Sequence, residues 1–230
     1  MPLGTLYIVA TPIGNLEDIT LRAIETLKQV DLIAAEDTRH TKILTDHYGI
    51  KIPLTSYFEH NRVAKGDYLI GLLKEGKDVA LVSDAGTPGI SDPGSHIIRL
   101  AIAEGINVVG IPGPSAAILG LVLSGMPTDR FIFEGFLPNK SGARRNKLSE
   151  FKDEKRTVIF YESPHRILKT LCDILEVFGD TRICVMRELT KKFEEILRGK
   201  ASEMIAHFKQ SKPRGEFLVI LNPKRGGEDG

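Results

Sequence analysis

The stretch VALVSDAGTPGISDPGSHIIRLAIA (79–103) falls into three parts. Val79–Ser83 is a short apolar run with β-branched residues, the pattern of a buried strand. Asp84–Asp92 is dense in Gly, Pro, Ser and Asp, the residues of tight turns. Pro93–Ala103 has apolar residues at helical spacing, with Asp92 placed as N-cap and Pro93 at the first helical position. A strand that passes through a glycine-rich turn into a helix is the building unit of an α/β sheet. The unit recurs on both sides. Strand candidates are Leu6–Ala10, Leu32–Ala35, Val79–Ser83 and Val108–Ile111, then Phe131–Phe136, Thr157–Tyr161, Ile183–Arg187 and Phe217–Leu221. Helical patterns at Glu17–Gln29, Arg62–Lys74, Pro93–Ala103, Ser115–Leu123, Arg166–Val177 and Ala201–Lys209 lie between them. This alternation predicts α/β architecture with helix-covered sheets. Periodicity does not give the strand order.

Residues 112–130 hold Pro112-Gly113-Pro114 and Gly125-Met126-Pro127, and divide the strands into two sets of four. Two α/β domains are expected, at 1–115 and 116–224, followed by a glycine-rich, charged and disordered tail at 225–230. Residues 138–156 (PNKSGARRNKLSEFKDEKR) are polar, basic in the first half and poor in core residues, so an exposed arm or a loose helical excursion is expected.

With 42% hydrophobic and 27% charged residues, the 230-residue chain can bury a sizeable core. A net charge of +1 argues against nucleic-acid binding by bulk charge, and leaves room for a local patch. Cys172 and Cys184 form no CxxC pair, so reduced, partly buried thiols are expected, and six scattered histidines suggest no metal site. With a strand starting near Thr5, no secretory leader is expected. No apolar run approaches the roughly 20 residues that span a bilayer. The expected location is the cytoplasm.

Three loops share one construction, in which a strand ends and a Pro-containing turn opens a helix: Ser91-Asp92-Pro93, Glu162-Ser163-Pro164 and Pro112-Gly113-Pro114-Ser115. Each offers free backbone N–H groups beyond the carboxyl end of a strand, where open α/β sheets bind ligands. The first βα turn, ATPIGNLED (10–18), pairs Asn15 with Asp18 in capping-box style and is not GxGxxG, which disfavours a dinucleotide. GLLKEGK (71–77) mimics a phosphate loop, but Asp78 replaces the required Ser/Thr and the stretch ends a helix.

The ordered motifs VATPIGNLEDIT (9–20), AEDTRHT (35–41), SDAGTPGISDPG (83–94), PGPSA (112–116), FYESPHR (160–166), RELTKKFEE (187–195) and RGEFLVI (214–220) cover nearly the whole chain. In them the sequence resembles the tetrapyrrole methylase superfamily and, within it, the ribosomal RNA small subunit methyltransferase I family. The resemblance implies two α/β domains, S-adenosylmethionine bound between them, and a homodimer. It also implies methyl transfer to the ribose 2′-hydroxyl of a cytidine in the decoding region of 16S rRNA. Carried over residue by residue, it places Asp84, Ala85, Gly86, Thr87 and Ile90 along the cofactor. It sets Ser115 and Ala116 against its adenosyl or methionine part, and Pro12 and Gly14 facing the methyl group. Tyr161 and Glu162 close the site. Tetrapyrrole-modifying members usually carry a GxGxGD-like first turn. TPIGNLED departs from it and disfavours a tetrapyrrole acceptor.

A ribose hydroxyl is a poor nucleophile, so its proton must be removed or its alkoxide stabilised. Polar candidates on strand-end loops are Asp37, Arg39, His165, Arg166, Glu188 and Lys191, with no single base assigned among them. Asp37 reads equally as a functional group or as a structural one, an N-cap or a salt bridge to Arg39, and Glu188 also reads as a buried partner of Arg187. His60 reads as structural. Lys140, Arg144, Arg145 and Lys147 form a local basic cluster suited to phosphate contacts, and Lys209, Lys212 and Arg214 a second. The partner would be 16S rRNA or the small ribosomal subunit. Two alternatives stay open: a tetrapyrrole or other small-molecule acceptor, and a non-catalytic S-adenosylmethionine- or RNA-binding module.

Overall fold

The structure, a computed structural model, describes residues 2–210 and 212–224. The tail expected at 225–230 lies outside the described residues. The chain divides into two compact units, Met1–Ser115 and Ala116–Gly230.

The first unit carries strands β1 (Thr5–Val9), β2 (Leu32–Ala35), β3 (Leu54–Ser56), β4 (Val79–Val82) and β5 (Asn107–Ile111). They form one sheet in the order β3-β2-β4-β1-β5, with every pairing parallel. Its helices are α1 (Leu21–Gln29), α2 (Thr38–His47), α3 (Arg62–Lys74) and α4 (Gly94–Ala103). Parallel strands covered on both faces read as continuous apolar runs, and β4 is buried throughout. Val79 and Leu81 belong to one core cluster, while Ala80 and Val82 belong to another. The two-residue period thus sends alternate side chains into two separate layers.

Two elements here differ from expectation. The α1 segment begins with a short 3-10 turn, Leu16–Asp18, in which Asn15 Oδ1 accepts from the Glu17 amide (3.1 Å). The α-helix starts only after Thr20, whose hydroxyl accepts from the Ala23 amide at 3.1 Å. The AEDTRHT motif, read as a loop, runs into helix α2 instead. Its sequence TRHTKILTDH is polar on most faces and buries only Thr41, Leu44 and Thr45.

The second unit holds β6 (Phe131–Phe136), β7 (Thr157–Glu162), β8 (Arg182–Arg187), β9 (Glu195–Lys200) and β10 (Phe217–Leu221). The sheet order is β6-β7-β10-β8-β9, in which only β6 and β7 pair in parallel. The helices are α5 (Ala116–Ser124), α6 (Ser141–Ser149), α7 (Ile167–Phe178) and α8 (Ala201–Lys209). Residues from α6, α7, α8 and one sheet face make a single core cluster. Helix α5 packs against β10 and β7, with Gly120 set against Leu218 and Met186.

Of the two forms expected for 138–156, the structure shows the helical one, and it is packed rather than loose. Ser141–Ser149 is helix α6, and Arg144 and Leu148 are its buried residues. Of the two cysteines, Cys184 is buried, and burial pushes its thiol up to about 11, whereas Cys172 is exposed. Among the described residues no helix is long and apolar enough to cross a membrane.

Candidate functional site

Because all five strands of the first sheet are parallel, their C-terminal ends share one edge. The connection leaving β2 runs outward to β3, while that leaving β4 runs the opposite way to β5. Such a reversal leaves a crevice beyond the strand ends, the usual ligand position in an open α/β sheet. The loops around it are tied together. Thr11 and Gly86 exchange backbone hydrogen bonds in both directions, at 3.0 and 3.1 Å, and the Thr11 hydroxyl donates to the Ser83 carbonyl (3.0 Å). The Ala10 amide donates to the Ile111 carbonyl at 3.1 Å, which draws in the β5 exit. Gly86 has φ +79°, and a Cβ there would stand 3.6 Å from both Ile13 Cγ2 and the Pro114 carbonyl oxygen. Three loops therefore meet at a backbone conformation that a side chain would strain.

The β2 exit joins through carboxylates. The Asp37 amide donates to Asp84 Oδ1 (3.0 Å), and the Asp84 amide donates to Glu36 Oε2 (3.4 Å). Asp92 Oδ1 accepts from the amides of Gly89 (2.7 Å) and Gly94 (2.8 Å), closing the glycine-rich loop onto the start of α4. Burial pushes the Glu36 carboxyl above its ordinary range; the Asp84 amide opposes this, and the charges of Asp84, Asp92 and Asp37 add to it. Burial likewise raises Asp92, against the pull of the Gly89 and Gly94 amides. Glu36, Asp84 and Asp92 make no ion pair among the described residues, and Arg39, itself paired with Asp37, acts on Asp84 from a distance, so acidic groups outnumber basic ones at this edge.

In the second sheet the antiparallel β10 brings distant motifs to one edge. Phe217 lies opposite Glu162 of β7 and Arg187 of β8, and Arg187 lies opposite Glu195 of β9. Glu162 is fully buried. Its carboxylate accepts from the Thr170 hydroxyl (2.6 Å), the Ser163 amide (2.8 Å) and the Arg166 guanidinium (3.1 Å). Arg166 in turn donates to the Leu137 carbonyl (2.6 Å) and to Asn139 Oδ1, anchoring the β6 exit. Nearby, Glu188 Oε1 accepts from Lys191 Nζ and from the Glu216 amide, both at 2.9 Å, and Lys191 also reaches Glu216 Oε2 at 2.8 Å. Burial acts to raise Glu188, but the Glu216 amide and Lys191 outweigh it and hold the carboxyl below its ordinary range.

The structure distributes the sequence candidates unevenly. Pro12, Gly14, Asp84, Ala85, Gly86, Thr87, Ile90 and Ser115 all lie on the loops at the first edge, and Ala116 opens α5. Asp37 is both structural alternatives at once. It caps α2 through the Arg39 amide (2.8 Å) and pairs with the Arg39 guanidinium (2.6 Å), which holds its carboxyl well below the carboxylate range. Tyr161 is half-buried and packs edge-on to Phe133 at 5.1 Å. His165 is exposed on the turn before α7, which begins at Ile167, so Ser163 does not cap that helix through its side chain.

Four expectations need correction. Glu162 is fully buried and both of its oxygens are engaged within its own unit, so it presents no exposed oxygen to a ligand. Arg166 spends its guanidinium on Glu162 and the β6 exit, which makes it a positioning residue. Glu188 pairs with Lys191; Arg187 instead stands 3.5 Å from Glu195. Arg144 is 1% exposed and is held by Asp173 (2.6 Å) and the Asn139 carbonyl (3.2 Å), so it cannot reach a phosphate. Its neighbours Arg145 and Lys147 are engaged by Glu176 (2.8 Å) and by Glu134 and Glu150 (3.0 Å each). Of that cluster only Lys140 is exposed without such a carboxylate among the described residues.

Glu36, Glu216 and Asp173 were not singled out in the sequence. Glu36 had a visible signal, since it directly precedes Asp37 at a strand end. Glu216 stands within the RGEFLVI motif, but its contact with Lys191 arises from pairing register, and Asp173 had no signal because its role arises from helix packing.

The model of the family described as tetrapyrrole (corrin/porphyrin) methylases matches residues 5–205. Curated relatives carry the name ribosomal RNA small subunit methyltransferase I. That of Halalkalibacterium halodurans is 53% identical over 218 residues, covering 95% of this chain and 75% of the relative. That of Thermotoga maritima is 52% identical over 222 residues, covering 96% and 100%. Among solved structures, a diphthine synthase superposes with a TM-score of 0.77 at 15% identity, covering 96% of this chain and 90% of that one. A uroporphyrin-III-C-methyltransferase from Thermus thermophilus gives 0.66 at 20% identity, covering 94% of each. These two likenesses concern the fold alone. With a family model spanning most of its length and relatives above 50% identity, the chain belongs to the tetrapyrrole methylases, in the ribosomal RNA small subunit methyltransferase I family.

Proposed function

We propose that this methyltransferase uses S-adenosylmethionine to methylate the ribose 2′-hydroxyl of a cytidine in the decoding region of small-subunit ribosomal RNA, acting as a cytoplasmic homodimer. The observation that carries the cofactor assignment is the charge of the first edge. Glu36, Asp84 and Asp92 gather around a glycine-rich loop and make no ion pair among the described residues. A ligand bearing a sulfonium and an ammonium group fits that edge, and an anionic nucleotide does not. S-adenosylmethionine, when bound, supplies an electrophilic methyl group.

The residues that would hold it are Asp84, Ala85, Gly86, Thr87 and Ile90, with Pro12, Gly14 and Ser115 from neighbouring loops. Gly86 fixes the close approach of backbone, and Asp92 holds the loop closed through the Gly89 and Gly94 amides. The Thr11–Gly86 bridge orients the β1 exit toward the same place. Glu36, whose proton affinity is raised, is the carboxylate best suited to hold a proton from an acceptor hydroxyl. The acceptor assignment rests on the relatives' name, and the exposed cations of the second unit are compatible with it.

The test is transfer of radiolabelled methyl from S-adenosylmethionine to unmodified small subunits, with naked 16S rRNA and a uroporphyrinogen-type acceptor in parallel. Label in a decoding-region fragment, resistant to alkaline cleavage, is the expected result. Label on the tetrapyrrole alone would overturn the RNA acceptor. Cofactor binding with no label on any acceptor would point to a non-catalytic module.

A further inference from the structure

We propose that the β8–β9 loop and the segment leading into β10 form a platform for unpaired RNA, with Phe193 stacking on a base and Lys192, Lys212 and Arg214 contacting phosphates. The proposal rests on the RNA acceptor assigned above and extends it to a binding site on the second unit.

Phe193 is 65% exposed, and Lys192 Nζ stands 5.7 Å from its ring centroid. Single exposed apolar residues are common and mean little by themselves. The loop that displays this one is built to hold it still. Glu188 and Thr190 both adopt left-handed backbone, with φ of 51° and 65°. A β-branched residue in that region is an outlier, and such strain persists only where the surroundings impose it. Here Lys191 ties the loop to Glu188 and Glu216, while the Thr190 amide donates to Glu194 Oε2 at 2.6 Å. A bulky apolar ring at the tip of so constrained a loop adds nothing to either core. Paired with a lysine, it has the composition of a single-strand stacking site.

Sheet register supplies the rest. Phe217 is opposite Arg187, and Glu216 is bonded to Lys191, so the lead-in to β10 runs beside the base of the loop. Lys212 and Arg214 lie on that lead-in and are exposed. In a chain of net charge +1, this grouping is the better candidate for phosphate contact. The α6 arginine and lysine cluster is occupied by carboxylates.

The chain has no tryptophan, so Phe193→Trp introduces a single one at the point in question, excited selectively over the tyrosines. This full-length variant is titrated with an unpaired RNA dodecamer, and with the same strand in a duplex. Quenching by the single strand but not by the duplex is expected. Phe193→Ala should raise the KM for small-subunit RNA about tenfold with kcat nearly unchanged. The double variant Lys192→Ala/Lys212→Ala should flatten the salt dependence of RNA binding. An unquenched tryptophan at saturating RNA, or an unchanged KM in Phe193→Ala, overturns the platform. So does a Phe193→Ala variant whose sedimentation shows a lost subunit contact. If the unsubstituted protein labels no RNA, the acceptor assignment fails, while the tryptophan titration still decides the platform.

Discussion

Glu36 illustrates how one side chain can serve stability and function in opposite directions. Its carboxyl is raised by burial and by its acidic neighbours, so the folded protein holds that proton more tightly than the unfolded chain does. The associated stability is present below the unfolded value of about 4.3 and is lost as pH rises through the folded value. Glu36→Gln should therefore raise the melting temperature at pH 7, with the gain shrinking toward zero as pH falls below 4. The same variant should bind S-adenosylmethionine more weakly, because a negative charge facing a cation is removed. Thermal melts across pH 4–8 with parallel calorimetric titration check both, and a variant no more stable at pH 7 would contradict the burial argument. Arg144 makes a different case. It forms a buried pair with Asp173, and breaking such a pair by removing one partner costs about 3–5 kcal/mol, because the remaining charge stays buried. Arg145, one residue on and 40% exposed at its side chain, should cost less than about 0.5 kcal/mol when changed to Ala. Urea unfolding of the two variants separates them, and equal midpoints would mean that Arg144 is not held as described.

At the scale of elements, legibility followed the hydrophobic pattern. The eight strand candidates with apolar runs all correspond to strands, because burial demanded those residues. The strands β3 and β9 were not legible. LTS is three partly buried residues, and EILRGK is an edge strand with only two apolar side chains among Glu195, Arg198 and Lys200, so neither forms an apolar run. Helix α6 was visible only as a polar arm or loose helical excursion, since its buried residues are Leu148 and an arginine that needs Asp173 of α7 to be intelligible. The strand-end loops were legible as carriers of chemistry, but not their grouping, because pairing register leaves no local trace. Gly215 shows what register adds. It has φ +85°, and a Cβ there would strike the side chain of Glu188, 27 residues earlier in the chain. Gly215→Ala should therefore strain the lead-in to β10 and push Glu188 away from Lys191, costing about 1–3 kcal/mol. The check is a urea midpoint together with methyl transfer. Loss of stability with unchanged KM for RNA would show that the loop tolerates the displacement.

For the molecule as a whole, the cores bear on where the two halves can be parted. The three core clusters each draw on residues from one unit only. Each unit also completes its own sheet, so no strand of one is needed to close the other. We expect residues 1–115 and 116–224, expressed separately, each to unfold in one cooperative urea transition with a slope of about 1–2 kcal/mol/M. The position of the cut matters because of α5. Its sequence AAILGLVLS is apolar all round, which from sequence alone fits a linker helix of either half. In the structure Ala117, Gly120, Leu121 and Ser124 are its buried positions, and Gly120 sits against Leu218, Met186 and Ile220. A fragment starting at residue 125 would leave these side chains of β10 and β8 facing water. It should aggregate or lose dispersed amide resonances, while the fragment starting at residue 116 retains them. Equal folding of the two fragments would place α5 outside the second unit and move the boundary to the turn at Gly125-Met126-Pro127.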